Sequence, residues 1–232
     1  MREVYDAELG RVFPRCMNQI EGFLRKYSGE MATVKTPADK VSEYVRALRK
    51  LATVAATDLE FAISQGHDIT SLALLATRPA RRARTFDSKG SQQVGRMMET
   101  ERIYYVLDRA GRGGDYDFLL LLQRLPGGVD THPEVHKTGI EVYLPLTGGI
   151  EFFVNKGHFR PVAVKTTIAI LPGDIHHHIN EGSDPAWALI VAGFGFGRGE
   201  KTQEQHGVDR FVTVKRFEPL APPSFSDRYA EG

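Results

Sequence analysis

The feature that most constrains this chain is a change of hydrophobic period. In the first part apolar residues recur every three or four positions, whereas from about Tyr104 they alternate. A helix and a strand are the regular structures that place those two patterns on one face. The second part carries short β-rich runs, RIYYVL, DFLLLLQRL, GIEVYLPL, GIEFFV, TTIAIL, IHHHIN and AWALIVA, separated by turn residues in GRGGDY, LPGG, TGG, NKG and EGSDP. Short strands punctuated in this way, with no helical pattern of useful length among them, predict an antiparallel barrel or sandwich. No internal repeat doubles the pattern, so one barrel is expected rather than two.

Met17, Ile20, Leu24 and Tyr27 predict one helix, and Val41, Tyr44, Val45, Leu48 and Leu51 a second. Thr36 is placed to cap the second, with Pro37 at its first position and Gly66 at its end. A third helix from about Asp68 would carry Ile69, Leu72 and Leu75 inward. RRAR, residues 81 to 84, resembles a nucleic-acid or targeting patch in composition but has no aromatic or basic reinforcement nearby, and reads as a solvated linker. The expected division is a helical region over 1–90 and a barrel over 91–232.

The 232 residues, 41% hydrophobic and 25% charged, are enough to bury a core and have ordinary globular proportions. With 30 Lys plus Arg against 29 Asp plus Glu, there is no global field to attract nucleic acid or an acidic membrane surface. A small-molecule partner is expected. No apolar run approaches the ~20 residues of a membrane span, MREVYDAELGR is charged where a signal peptide is apolar, and Cys16 is the single cysteine. No internal disulfide can form, and the cytoplasm is the expected compartment.

The stretch PGGVDTHPEVHKTGIEVYLPLTGG holds His132, His136 and Glu141, and LPGDIHHHIN holds His176. Alone, HHHIN could equally be a histidine-rich surface loop. Strand alternation strengthens the ligand reading, because His176, His178 and Asn180 share one face and Glu141 shares a face with Tyr143. Val142, Leu144 and Leu146 then face the other side and need cover, from the N-terminal helices or a second subunit. Three imidazoles and a carboxylate suit one divalent metal ion, Zn, Fe, Mn, Co or Ni, with positions left for water or substrate. His178 is a candidate supporting donor or substrate contact, and His177 points away. Glu134 reads as a solvated loop carboxylate, with ligation in place of Glu141 as the alternative. His67, His158 and His206 have no matching partners. GFGFGRG, residues 193 to 199, has the glycine spacing of a dinucleotide loop, but the EKTQEQHG that follows shows no helical stripe to offer a phosphate its N-terminus.

The two clusters together resemble the paired signatures of the cupins, the first with histidines and a glutamate between glycines, the second a Pro-Gly-Asp turn leading to a histidine and an asparagine. The resemblance implies a mainly β fold, a single cupin barrel (double-stranded β-helix, or jelly roll) with an α-helical N-terminal extension. One departure narrows it. Most cupins separate the first two histidines by one residue, and here Pro133, Glu134 and Val135 intervene. The pattern H-x3-H-x4-E-x-Y, from His132 to Tyr143, is similar to that of the cupin-type dimethylsulfoniopropionate lyases, and the length and helical extension are most similar to the DddL branch. The likeness is strongest over residues 127 to 180.

This resemblance implies β-elimination of dimethylsulfoniopropionate to dimethyl sulfide and acrylate, with Tyr143 as base. His132, His136, Glu141 and His176 match the metal ligands without departure. A sulfonium would be held by aromatic faces through cation–π attraction. Tyr104, Tyr105, Tyr116 and Trp187 are candidates, with ordinary strand-core roles as the alternative, and His178 is a further candidate contact. The implied partners are a small zwitterionic substrate and a second copy in a homodimer, with no nucleic acid and no membrane. Two rivals remain open: a cupin dioxygenase or isomerase acting on another small acid or sugar, and a ligand-sensing cupin without catalysis.

Overall fold

The computed structural model describes residues 2–5, 11–69, 102–110, 116–131, 134–155, 157–159 and 165–196. Helix α1 (Pro14–Lys26) opens on a proline, which sacrifices only an amide that the first turn leaves without an intrahelical acceptor. It buries Cys16, Ile20 and Phe23 on one stripe. Helix α2 (Ala38–Ser64) buries Val41, Tyr44, Val45, Leu48, Leu51, Ala52, Ala55, Ala56 and Leu59 at three- and four-residue spacing. Gly66 ends it in the left-handed region, φ 92°. The expected cap at Thr36 is corrected. Pro37 is extended, ψ 144°, so the helix starts at Ala38, and the Thr36 hydroxyl accepts from the Thr33 amide at 2.8 Å instead. Beyond Ile69, the third expected helix and RRAR lie outside the described residues.

The described strands are β1 (Arg2–Tyr5), β2 (Arg102–Ala110), β3 (Tyr116–Leu125), β4 (Glu134–Val135), β5 (Ile140–Pro145), β6 (Ile150–Val154), β7 (Gly157–Phe159), β8 (Ile168–Ile170), β9 (Ile175–Asn180) and β10 (Ala186–Gly193). They pair antiparallel in two sheets, ordered β1-β2-β3-β10-β5-β8 and β4-β9-β6-β7. The two antiparallel sheets share one inner core as the single β-barrel the sequence predicts, with helices supplied by the N-terminal part. Three elements fall outside the sequence reading: the short strands β4 and β7, and β1, which lies in a stretch expected to be helical and pairs with β2 from Arg2↔Ala110 to Tyr5↔Leu107.

Two cores follow from strand alternation. On the outer face of the large sheet, Leu120, Leu122, Val142, Leu144, Leu189 and Val191 pack with Leu48, Leu51 and Ala55 of α2 and with Ile20 and Phe23 of α1. The helices thus supply the cover that Val142 and Leu144 require, each buried aliphatic contributing ~1.5–3 kcal/mol. On the inner face, Leu119, Leu121, Tyr143, Ile168, Ile170 and Ile190 meet Ile150, Phe152 and Val154 of the small sheet. The candidate site lies among the inner residues.

Candidate metal centre

Tight turns deliver the site residues to that interior. Gly139 precedes β5 at φ 79°, and a Cβ there would lie 2.3 Å from the Phe196 Cα, so no other residue allows this approach. Before β9, Asp174 Oδ2 accepts from the Leu171 amide at 2.8 Å and Oδ1 accepts from Asn155 Nδ2 at 2.7 Å. Asn155 Oδ1 in turn accepts from the Ile175 amide at 3.0 Å. The Gly173 amide donates to the His136 carbonyl at 2.8 Å, tying the two histidine-bearing segments together.

The ligand atoms of His136, Glu141 and His176 all lie within 4.8 Å of one another, and all three residues are buried. Glu141 Oε2 is 3.2 Å from His136 Nε2 and 3.4 Å from His176 Nε2. His176 Nδ1 lies 3.2 Å from the Asp174 carbonyl, which an N–H at that nitrogen would satisfy. That tautomer turns Nε2, as an acceptor, toward the carboxylate. A cation, or a proton on Nε2, satisfies two acceptors so placed. Donor atoms bonded to one ion at ~2.1 Å and near-tetrahedral angles stand ~3.4 Å apart, so the three residues fit a divalent metal. Burial works to raise the Glu141 pKa, but the neighbouring His136 and hydrogen bonds from His136 and His176 outweigh it and hold the carboxyl well below the usual carboxylate range.

Tyr143 sits on the same inner face as Glu141 and is buried. Its ring centroid is 5.2 Å from Phe152, 5.2 Å from His178 and 6.4 Å from His176. His178 stacks on Phe152 at 5.1 Å and 24°. Its Nε2 is 2.8 Å from Gln123 Nε2 and its Nδ1 is 3.2 Å from Thr131 Oγ1. With both ring nitrogens engaged, His178 walls the site and does not join the ligand cluster. His177 faces outward, 2.9 Å from Asp130 Oδ1 and stacked on Phe153. Asn180 fastens the end of β9, donating to the Leu125 carbonyl at 3.0 Å and the Asp184 carbonyl at 2.7 Å.

His132 lies outside the described residues, as do the side chains of Glu134, Tyr104, Tyr105 and Tyr116. Trp187 is corrected as a pocket residue. It shares the parity of Leu189 and Val191 and packs in the helix-facing core, while the alternate residues Ala186, Ala188 and Ile190 face Tyr143. Gln123, Thr131 and Phe196 did not emerge as site residues from the sequence. A signal existed for Gln123, an isolated amide in the apolar run LLLLQRL. Once folded it is 1% exposed, and a buried amide needs partners.

No family model matches the chain, and no curated protein matches it. Among solved structures, the cupin domain of Schizosaccharomyces pombe Cnp3 aligns at 15% identity over 42% of this chain and 66% of that one, with a TM-score of 0.36. A Klebsiella pneumoniae protein with a double-stranded β-helix domain aligns at 18% identity over 49% of this chain and 92% of that one, TM-score 0.37. KdgF from Halomonas sp. aligns at 10% identity over 42% and 83% of the respective chains, TM-score 0.35. Among the described residues no helix is long and apolar enough to cross a membrane.

Proposed function

We propose that this chain is a metal-dependent lyase that cleaves dimethylsulfoniopropionate into dimethyl sulfide and acrylate, with Tyr143 as the base. The observation that carries the reading is the placement of Tyr143 on the face that also holds Glu141, its ring 6.4 Å from that of His176. His136, Glu141 and His176 would hold one divalent ion, with His132 as the fourth ligand that the lyase pattern implies. When bound, such an ion supplies Lewis acidity toward the substrate carboxylate.

The rest falls to the protein's own groups. A phenol with an ordinary pKa of ~10 is a poor base at neutral pH, and a neighbouring cationic centre favours its phenolate. Tyr143 then takes the proton from the carbon beside the carboxylate. The electron pair released forms the new carbon–carbon double bond, the bond from the β-carbon to sulfur breaks, and sulfur leaves as a neutral sulfide that needs no general acid. Phe152, His178 and the inner-face aliphatics wall Tyr143 from water. The rings of Phe152 and Phe196 take the place of Trp187 as candidate faces for the sulfonium.

The test is headspace analysis of purified protein given dimethylsulfoniopropionate, with a chelated control and a Tyr143→Phe variant. Dimethyl sulfide should appear and be lost on chelation. The variant should lose about 10²-fold or more of the rate with its metal content unchanged. Full activity in Tyr143→Phe would reject the base, and dioxygen uptake in place of sulfide release would point to an oxygenase.

A further inference from the structure

The sequence run at 193–196, discounted above as a phosphate loop, joins the metal centre to the helices. It contains two phenylalanines, two positions apart, that belong to opposite cores. Phe196 belongs to the inner core, and its ring centroid lies 4.6 Å from that of His136, tilted at 59°. Phe194 belongs to the helix-facing core. It is held at φ 60°, a conformation a bulky residue adopts only when its surroundings enforce it.

Those surroundings are aromatic. Phe194 stacks on Tyr44 of α2 at 3.8 Å and 17° and meets Tyr27 and Phe23 of α1 edge-on, each at 5.1 Å. Tyr44 is itself anchored by donating its hydroxyl to Glu30. Between the helices, Ala32 clamps both sides of the same structure. Its amide donates to the Phe194 carbonyl and its carbonyl accepts from the Gly139 amide, both at 2.9 Å. Thr138 Oγ1 donates to the Gly195 carbonyl at 2.9 Å. Gly139, without a Cβ, lets the Phe196 backbone settle against the segment that carries His136. The connection from α1 and α2 to the imidazole is therefore continuous and short.

We propose that Phe196 is a positioning residue for His136 and that Phe194 locks Phe196 to the helical extension, so that the helices set how tightly the centre holds its ion. The proposal rests on reading His136, Glu141 and His176 as metal ligands and requires nothing of the elimination reaction. Groups that orient a metal-bound histidine from behind typically alter metal affinity by roughly 10–100-fold when removed. A packed ring that fixes the imidazole plane works through the same geometric constraint.

The experiment uses the full chain, with cobalt(II) as probe. Affinity is measured by competition with a chromophoric chelator, and the ligand field by the visible cobalt spectrum. Phe196→Ala should bind cobalt roughly tenfold or more weakly and shift the cobalt bands, while Phe196→Tyr, which keeps the ring, should restore both. Phe194→Ala should move affinity in the same direction by less. Leu59→Ala, buried on α2 about 22 Å along the helix from Tyr44 at ~1.5 Å per residue, should lower thermal stability and leave cobalt affinity alone. If Phe196→Ala does not fold, Phe196→Leu, which keeps apolar bulk without a ring, carries the same expectation. The proposal is overturned if the folded Phe196 variants keep wild-type affinity and spectrum, or if Leu59→Ala weakens cobalt binding equally. Failure of the wild-type chain to bind cobalt would remove the metal reading itself before any variant is compared.

Discussion

Strand β5 places two kinds of interior back to back. Val142 and Leu144 point into a core shared with the helices, packed from hydrophobic side chains with Asp58 buried beside Cys16. Glu141 and Tyr143, their immediate neighbours, point into a barrel that also buries Gln123, His176 and His178. The first interior gains stability from area removed from water. The second gives some up, since each buried polar group costs free energy unless a partner satisfies it. Thr131, Gln123 and the Asp174 carbonyl provide such partners. The difference teaches how a small barrel can carry an expensive site. Apart from the proposed link through Phe194, the helical face serves to stabilise the fold, which leaves the inner face to hold the polar groups.

The sharpest way to break this comparison is to change one face and read the other. Glu141→Gln keeps the volume and removes the charge. Metal affinity should fall by more than the roughly 10–100-fold expected on losing a mere supporter of a ligand, while the melting temperature of the metal-free protein at neutral pH should fall, because the carboxylate that His136 and His176 stabilise is lost. Competition binding and thermal unfolding in chelator check both halves. Leu189→Ala makes the reciprocal change. Leu189 is fully buried and pairs with Leu144 on the helical face, so its truncation should cost about 2–5 kcal/mol by denaturant unfolding and leave metal affinity intact. A Leu189 variant that lost its metal while staying folded would show that the two faces are coupled beyond the link through Phe194.

Much of this arrangement was legible beforehand, because alternation in IEVYLP already separates Glu141 and Tyr143 from Val142 and Leu144. The helical stripes through Ile20 and Leu48 were equally plain. What alternation cannot supply is which parity faces inward on a strand with no polar marker. AWALIVAG is apolar throughout, and only the pairing Ile190↔Tyr143 shows that Trp187, three residues away, lies on the helical side. Gln123 and Thr131 were missed for a related reason. Their role depends on meeting His178 across 55 and 47 residues of chain, a contact that no local pattern encodes. The helix start was misjudged by one residue because Thr36 and Pro37 together match a cap motif, and the backbone at Pro37 decides otherwise.

Gln123 also offers a subtler test. Gln123→Leu keeps the side chain's bulk and removes the amide that reaches His178 Nε2 at 2.8 Å. The ring would keep its stack on Phe152 but lose one of the bonds that fix its rotation beside Tyr143. Under the proposed chemistry, turnover should fall by roughly tenfold, as expected for a misplaced supporting group, with metal content unchanged. Loss of metal in this variant would instead mean that His178 supports the ligands.

The smallest effect separates the two interiors by the sign of their response to pH. In the helical core, Cys16 has its thiol pKa pushed up from 9.0 to about 12 by burial and by the nearby Asp58. Its contribution is fully present below pH 9 and declines as the unfolded chain's thiol ionises between 9 and about 12. Cys16→Ala should therefore flatten the alkaline loss of stability by about 1 kcal/mol at pH 10 relative to pH 8. Glu141 behaves oppositely. Burial raises its pKa, yet His136 and His176 hold it below the ordinary carboxylate range. Its contribution is present above the unfolded value of ~4.3 and is lost as pH falls through the lower folded value. Denaturant midpoints of the metal-free protein across pH 3 to 10 should show the alkaline limb responding to Cys16→Ala alone and the acid limb to Glu141→Gln alone. An acid limb unchanged in Glu141→Gln would mean that the imidazoles do not stabilise that carboxylate, and the separation of the faces would lose its electrostatic half.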